Sequence, residues 1–269
     1  VTRPFFGRPE ATEYEYPFSS HGDELDSMAY FDDVLIPWEN VFHLGNMDHA
    51  AQWPQKIFDW AHIDMQIRHS VHAELLAGLA LILTDAIGTS QFPIVSATVA
   101  DFVRFRETCR AFIIASEDAG AQTDGTLYKP DETFVNFGRA YFTENFGAHV
   151  EKLIDLCGRG IMLSPTDADL DDEYLGPPLT KALAGSNISA RDRTKIFKVI
   201  RDRYLSEAGT RNQVFERLNG TPLVVMRFLT LQRMEYSVDG PMAELARNVC
   251  GLGDAEERAA RAAEERASK

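Results

Sequence analysis

Residues 57–88 read IFDWAHIDMQIRHSVHAELLAGLALILTDAIG, and the spacing of their apolar residues decides the fold class. Apolar side chains recur at every third or fourth position from Ile57 to Leu83, the period of an amphipathic α-helix. Gly88 follows the last of them and predicts the helix end. The helical period begins at about Trp53, so the stretch predicts one helix of about thirty residues.

Three later stretches of the sequence have the same helical period of apolar residues. Residues 95–120 and 133–161 predict two long helices, and a fourth runs from behind Ser189 to Gly209, with Ser189 as its N-cap and Asp192 in its first turn. Shorter helical pieces follow at 212–218 and 223–236. The acidic, proline-containing residues 163–185 predict a long connection. Four long amphipathic helices favour a helical bundle over residues 47–250, followed by a charged Ala/Glu/Arg tail over 251–269 that is a frayed helix or solvated.

Residues 1–46 have a different texture. Their short aromatic or β-branched runs, at 28–31 and 34–36, lie between Pro, Gly, Asp and Ser residues, which is typical of strands and turns. Two or three strands leave open edges, so upstream sequence or another chain is expected to complete them. Val1 stands where an initiator Met is expected, which favours a chain that begins inside a longer one.

Composition excludes several classes of protein. At 269 residues and 45% apolar the chain can bury a large core. Its 41 acidic against 27 basic residues give a net charge of −14, which argues against a nucleic-acid partner. No stretch predicts a transmembrane helix. The three cysteines form no CxxC pair, which argues against a disulfide scaffold and favours the cytoplasm.

The candidate ligand-binding residues are histidines and glycine turns. His69 and His72 lie three residues apart on the long helix, where a metal could bridge them, but ordinary polar positions in a bundle are the favoured interpretation. Neither a GxGxxG nor a GxxxxGK[ST] motif is present. Residues 208–211 and 219–222 each combine a glycine, a hydroxyl and an adjacent helix, which can hold an anion. A helix C-cap followed by a tight helix–helix turn also explains both segments and is the favoured interpretation from these residues alone.

A series of motifs resembles the 4-hydroxyphenylacetate 3-monooxygenase family. The landmarks are Arg3-Pro4, residues 16–20 (YPFSS), Asp23-Glu24, residues 31–42 (FDDVLIPWENVF), Arg68, Asp169-Leu170-Asp171, Gly185-Ser186-Asn187 and residues 209–217 (GTRNQVFER). The resemblance covers about residues 2–235. It implies a mainly α chain: an acyl-CoA-dehydrogenase-like C-terminal four-helix bundle, preceded by the last strands of a β-barrel domain within residues 1–46.

The family resemblance also implies a function. Members are oxygenase components that take reduced FAD from a separate flavin reductase and hydroxylate a phenol with O2 through a flavin C4a-hydroperoxide, as homodimers or homotetramers. The family's catalytic residues lie in an N-terminal half that nothing here matches, so no catalytic residue is assigned. The resemblance places cofactor contacts at Gly209, Thr210, Arg211, Thr221, Pro222, Leu223 and Val224, and a substrate loop at Phe5, Phe6, Gly7 and Arg8. It assigns no metal ligand.

Two alternatives stay open at this point. One is a bundle that has lost catalysis and serves as an oligomerisation or binding module. The other is a relative of the 4-hydroxybutyryl-CoA dehydratases, which hold an iron–sulfur cluster with Cys ligands and one His, including a His-x6-Cys pair on the first bundle helix. Because His62 is followed seven residues later by His69 and not by Cys, the cluster ligands are missing and this alternative is disfavoured.

Overall fold

The structure is a computed structural model that describes residues 1–123, 125, 127–231 and 234–267. At residues 53–59, 229, 234 and 255 it describes no side chain, so the predicted helix position Ile57 lies outside the described side chains. The tail prediction at residues 268 and 269 also lies outside the described residues. The chain forms two compact units, Val1–Gly220 and Thr221–Lys269. The predicted boundaries at 46 and 250 stay predictions.

Helices dominate the first unit. They are α1 (Met47–Ala86), α2 (Pro93–Asp118), α3 (Glu132–Cys157), α4 (Asp167–Asp171), α5 (Gly176–Leu183), α6 (Ala190–Tyr204) and α7 (Glu207–Leu218). A two-residue antiparallel hairpin, β1 (Ala121–Gln122) with β2 (Tyr128–Lys129), joins α2 to α3. In the described parts of the chain, no helix is long and apolar enough to cross a bilayer. The four predicted long helices correspond to α1, α2, α3 and α6.

The hydrophobic core lies where α1, α2 and α3 pack against one another, with α6 against the same core. Its largest fully buried side chains are aromatic and aliphatic: Phe102, Phe105, Phe142, Phe146, Leu76, Leu83, Leu153 and Ile200. Phe142 and Phe146 stack with ring centroids 4.7 Å apart, so the two rings pack against each other within the core. Each such ring contributes about 3–5 kcal/mol, judged by the usual cost of truncating a buried Phe to Ala.

The face that α1 buries differs from the predicted one. Ile67 and Val71 lie on the predicted apolar side, yet both are largely exposed, whereas Gln66, His69 and Ala73 on the next face are buried. The helix packs against both α2 and α3 and is apolar nearly all round beyond residue 73, so its period does not specify which side faces the core.

Two local predictions after α3 are wrong. The segment 163–185, expected to be a connection, contains α4 and α5; α4 begins with a capping box in which Thr166 and Asp169 bond each other's backbone N–H groups. The fourth helix ends at Tyr204, five residues before the predicted Gly209, because Ser206 caps a new helix, α7. The Ser189 cap of α6 is confirmed, since its side chain accepts from the Asp192 N–H.

Residues 1–28, called the strap here, form a closed loop on α6 and α7. Its ends pair, since Met28 N–H donates to Val1 O at 2.8 Å and Arg3 N–H to Asp26 O at 3.1 Å. Residues 29–46, called the arm, contain one 3-10 turn, Trp38–Asn40, and no strand. The strands predicted at 28–31 and 34–36 therefore form no ladder with any residue that the structure describes.

The second unit, described by itself, contains α8 (Leu223–Thr230), a 3-10 turn (Met234–Tyr236), α9 (Pro241–Cys250) and α10 (Ala255–Ala267). The helical piece predicted at 223–236 thus consists of α8 and the turn. The sequence reading missed α9, which starts with Pro241 at its first position and ends at Gly251 in the left-handed conformation.

Candidate functional site

The predicted glycine turn lies inside the first turns of α7. Ser206 Oγ accepts the Gly209 N–H at 3.0 Å, so this N–H is already used as a cap contact. A Cβ at Gly209 would lie 2.5 Å from Asp202 O and 2.6 Å from Arg203 O. Glycine is therefore required because α7 starts directly against the end of α6. Thr210 follows and is exposed.

Arg211, also on α7, is paired with the strap. Its Nε and Nη2 donate to the Asp26 carboxylate at 2.9 and 2.8 Å, and its Nη1 donates to Glu24 at 3.0 Å. The guanidinium also lies over the Phe215 ring at 4.8 Å. The hydrogen bonds from Arg211 and then Arg3 lower the pKa of Asp26. Asp26 also accepts a hydrogen bond from Arg3 Nε at 2.7 Å, so Arg211 and Arg3 share this carboxylate, while Glu24 pairs with Arg211.

Arg211 borders two clefts. One, of about 400 Å³, is polar and lies between the strap and the α6–α7 junction, with Asp23, Asp202 and Gly209 in its wall. The other, of about 780 Å³, is mostly apolar and is lined by Phe6, Asp26, Leu205, Glu207, Thr210, Arg211, Val214, Phe215, Leu218 and Asn219. The larger cleft brings predicted substrate-loop and cofactor residues together, although about 200 residues separate them in sequence.

The predicted substrate loop is tightly packed within the strap. Phe6 N–H donates to Asp23 at 2.9 Å, and Arg8 N–H donates to Ser19 O at 2.6 Å. A Cβ at Gly7 would lie 2.5 Å from the Phe5 ring and 2.8 Å from the Gly22 backbone. Phe6 faces the larger cleft, whereas Phe5 and Arg8 do not line it. The Arg8 guanidinium lies over the Tyr16 ring instead.

Two buried charges on α6 hold the strap, and sequence reasoning missed both. Asp202 accepts hydrogen bonds from Phe18 N–H at 2.7 Å, Ser19 N–H at 2.9 Å and Ser19 Oγ at 2.7 Å. Lys198, only 1% exposed, pairs with Glu15 at 2.5 Å. Lys198 and Asp202 lie four residues apart on one face of α6. That spacing was the available signal, but it does not tell a buried polar face from a solvated one.

A second polar group is buried between α1 and α7 around Glu216. The Glu216 carboxylate lies 3.3 Å from His72 Nε2 and 3.5 Å from Arg68 Nη1, and its backbone O lies 2.9 Å from His69 Nε2. Arg203 donates to His72 Nδ1 at 2.8 Å. Glu216 is the partner of the helix-α1 histidines that the sequence did not reveal, since it lies more than 140 positions away.

The protonation of this group follows from its burial. Desolvation lowers the pKa of His69 to about 4, so this ring is neutral near pH 7 and stacks on Phe142 with centroids 4.0 Å apart. Burial acts to raise the pKa of Glu216, but the hydrogen bond with His72 and the charge of Arg68 lower it overall. The residues that the structure describes contain no cluster of three or more potential metal ligands.

The remaining predicted cofactor residues, Thr221 to Val224, open the second unit. Pro222 is exposed and its O accepts the N–H groups of Val225 at 2.9 Å and Met226 at 3.0 Å, in the first turn of α8. Leu223 is half-buried and Val224 is exposed. The local expectation of a turn leading into a helix is confirmed.

Comparison with known proteins identifies the protein family to which this helical chain belongs. The family model described as "HpaB: 4-hydroxyphenylacetate 3-hydroxylase C terminal" matches residues 52–247. Among solved structures, the oxygenase component HpaB of 4-hydroxyphenylacetate 3-monooxygenase, complexed with FAD and 4-hydroxyphenylacetate, has a TM-score of 0.81 at 27% identity, covering 93% of this chain and 52% of that one. The chain belongs to the HpaB C-terminal family.

Two relatives with higher sequence identity act on substituted phenols by name. The 4-nitrophenol 4-monooxygenase/4-nitrocatechol 2-monooxygenase oxygenase component of Rhodococcus opacus is 57% identical over 98% of this chain and 50% of its own length. The 2,4,6-trichlorophenol monooxygenase of Cupriavidus pinatubonensis is 46% identical over 88% of this chain and 46% of its own length. The chain spans about half the length of the curated relatives it matches.

Proposed function

We propose that this chain is the C-terminal part of the oxygenase component of a two-component monooxygenase, which uses reduced FAD and O2 to hydroxylate a phenol. Membership of the HpaB C-terminal family supports this, together with the names of the relatives. The observation that carries the proposal for this chain is the larger cleft, where Phe6 of the strap faces Thr210 and Arg211 of α7.

The residues of this cleft fit part of a flavin dinucleotide. Val214, Phe215 and Leu218 form an apolar wall suited to a ring, while the Thr210 hydroxyl and the Arg211 guanidinium are donors suited to ribityl or phosphate oxygens. Gly209 belongs to the proposed contacts through its backbone. Thr221, Pro222, Leu223 and Val224, at the start of α8, are proposed cofactor contacts on the family resemblance alone. Bound reduced FAD would supply the oxygen chemistry.

This chain's own contribution is binding, orientation and exclusion of water. The strap carries Phe5, Phe6, Gly7 and Arg8 as the proposed substrate loop, and its anchors on α6 fix that loop beside the cleft. The barrel strands and the catalytic residues belong, in this proposal, to a preceding part of the protein with which the arm packs. Assembly through the bundle into dimers or tetramers, a flavin reductase partner and a cytoplasmic location complete the proposal.

A direct test is titration with reduced FAD under anaerobic conditions, followed by flavin absorbance. The chain is used alone and co-expressed with the polypeptide encoded directly upstream. Saturable binding in either form is expected. If neither form binds reduced FAD, the proposal fails and the bundle is an oligomerisation or binding module.

Arg211→Ala tests the cleft itself. If Arg211 bonds a flavin phosphate, its loss weakens FAD binding by about 1.5–3 kcal/mol, the range for charge-assisted hydrogen bonds. The same titration measures this, with Arg217→Ala on the exposed side of α7 as the matched control. Unchanged FAD affinity together with a lower melting temperature would instead assign Arg211 solely to fastening the strap.

A further inference from the structure

Arg139, on α3, is a buried cation that has no carboxylate partner among the described residues. It is 2% exposed. Its Nη1 donates to Asn136 Oδ1 over a long 3.3 Å, and its Nε has no acceptor. In the described part of the chain, burial is the one influence on its pKa, which it lowers to about 10, and no carboxylate pairs with it. A buried guanidinium without a counter-charge is costly, so its retention calls for an anion.

The nearby charges do not provide that anion. Glu216 is the buried carboxylate of the α1–α7 polar group, and it pairs with Arg68 and His72. His69, which senses the Arg139 charge, is neutral near pH 7. Arg68 is partly exposed and also pairs with Asp64, so in the described part of the chain the neighbouring carboxylates have other partners and none of them pairs with Arg139.

Arg139 lies directly below an exposed loop. A Cβ at Gly220 would lie 2.9 Å from Arg139 Nη2, so the guanidinium touches the backbone of this residue, whose φ is +95°. Asn219, the preceding residue, lines the larger cleft. A ligand that enters the cleft at Asn219 thus reaches the loop that covers Arg139. The space beside the Gly220 Cα is filled by Arg139 Nη2 and the Met65 side chain, so the guanidinium lies directly against this loop.

We propose that Arg139 is the receptor for phosphate oxygens at the Asn219–Gly220 end of the larger cleft. The inference rests on the proposed function, because the pyrophosphate of FAD is the source it favours; free inorganic pyrophosphate has the same chemistry. Arg211 cannot supply this attraction alone, since its Nε, Nη1 and Nη2 already donate to Asp26 and Glu24. Arg139 supplies the uncompensated charge that a pyrophosphate needs.

The test is isothermal titration of the full chain with inorganic pyrophosphate, oxidised FAD and riboflavin, which lacks phosphate. Arg139→Met keeps the length and apolar bulk of the side chain and removes the charge. It is expected to weaken pyrophosphate and FAD binding at least about tenfold and to leave riboflavin binding unchanged. Arg106→Met is the control, because Arg106 is paired with Glu74 and Glu107 on the surface.

Thermal melting separates a ligand role from a structural one. A buried cation destabilises the folded protein when no anion is bound to it. Arg139→Met is therefore expected to melt at the same temperature as the wild type or at a higher one. Pyrophosphate should raise the melting temperature of the wild type and of Arg106→Met but not that of Arg139→Met.

The outcomes distinguish this inference from the proposed function. Equal FAD and pyrophosphate affinity in wild type and Arg139→Met, or a lower melting temperature of Arg139→Met with an unchanged pyrophosphate response, overturns the role of Arg139 and leaves FAD binding standing. Pyrophosphate binding that depends on Arg139, without FAD binding, supports the anion site and counts against FAD as its source. A wild type that binds neither ligand overturns this site.

Discussion

The strap and the arm are neighbours in sequence with opposite fates in the structure. The strap, residues 1–28, is fastened to α6 and α7 through Glu15, Ser19 and Asp26. The arm, residues 29–46, leaves its large apolar side chains in solvent: Tyr30, Phe31, Val34, Leu35, Ile36, Trp38, Phe42 and Leu44. Polar residues therefore hold the docked segment, and apolar residues mark the segment whose partner is elsewhere. An exposed run of this size is typical of an interaction surface.

Asp202→Ala should have the largest effect on the docked side of this comparison. It leaves the Phe18 and Ser19 N–H groups and the Ser19 hydroxyl without their buried acceptor. Each unsatisfied donor costs about 1–3 kcal/mol, so we expect a loss of about 3–5 kcal/mol in the free energy of unfolding, measured with urea.

The matched control is Asp192→Ala, in the exposed first turn of the same helix, where the loss should be about 1 kcal/mol or less. If Asp202→Ala costs no more than this control, the strap is held by something other than Asp202.

Acid should loosen the strap and leave the arm unchanged. The hydrogen bond from Arg3 lowers the pKa of Asp23, and those from Arg211 and Arg3 lower that of Asp26, both from an ordinary 3.8. The folded state then binds fewer protons than the unfolded state, so stability is present above pH 4 and is lost as the pH falls below it. Hydrogen exchange of the Phe6 amide, corrected for intrinsic rates, should accelerate between pH 5 and about pH 2. Unchanged protection of this amide across that range would contradict the carboxylate anchoring.

Phe42→Ser should have the smallest effect and tests whether the arm packs against the rest of this chain. Phe42 is 95% exposed, so its replacement should change the free energy of unfolding of this chain by less than about 0.5 kcal/mol. Urea unfolding of the chain alone measures this, with Phe18→Ser in the docked strap as the comparison. A loss above about 1 kcal/mol would show that the arm packs within this chain, and would remove the contrast with the strap.

Sequence alone determined the helical architecture and the family, because both depend on local pattern. The apolar period from residue 57 to 83 predicts α1, and Ser189 fixes the start of α6 through a cap that spans three residues. The motif order likewise identified the HpaB family, which the family model over residues 52–247 confirms.

Only the tertiary structure decided which faces are buried and where the charges go. The Glu15–Lys198 and Ser19–Asp202 contacts join positions more than 180 residues apart, and the partner of His72 is Glu216, so no local spacing announces them. The period of α1 shows that the helix is apolar but not which side meets α2 and α3. The physical reason is that a buried polar group is stable only when it is hydrogen-bonded or paired. Its partner is a residue distant in sequence that only the tertiary fold brings into contact with it.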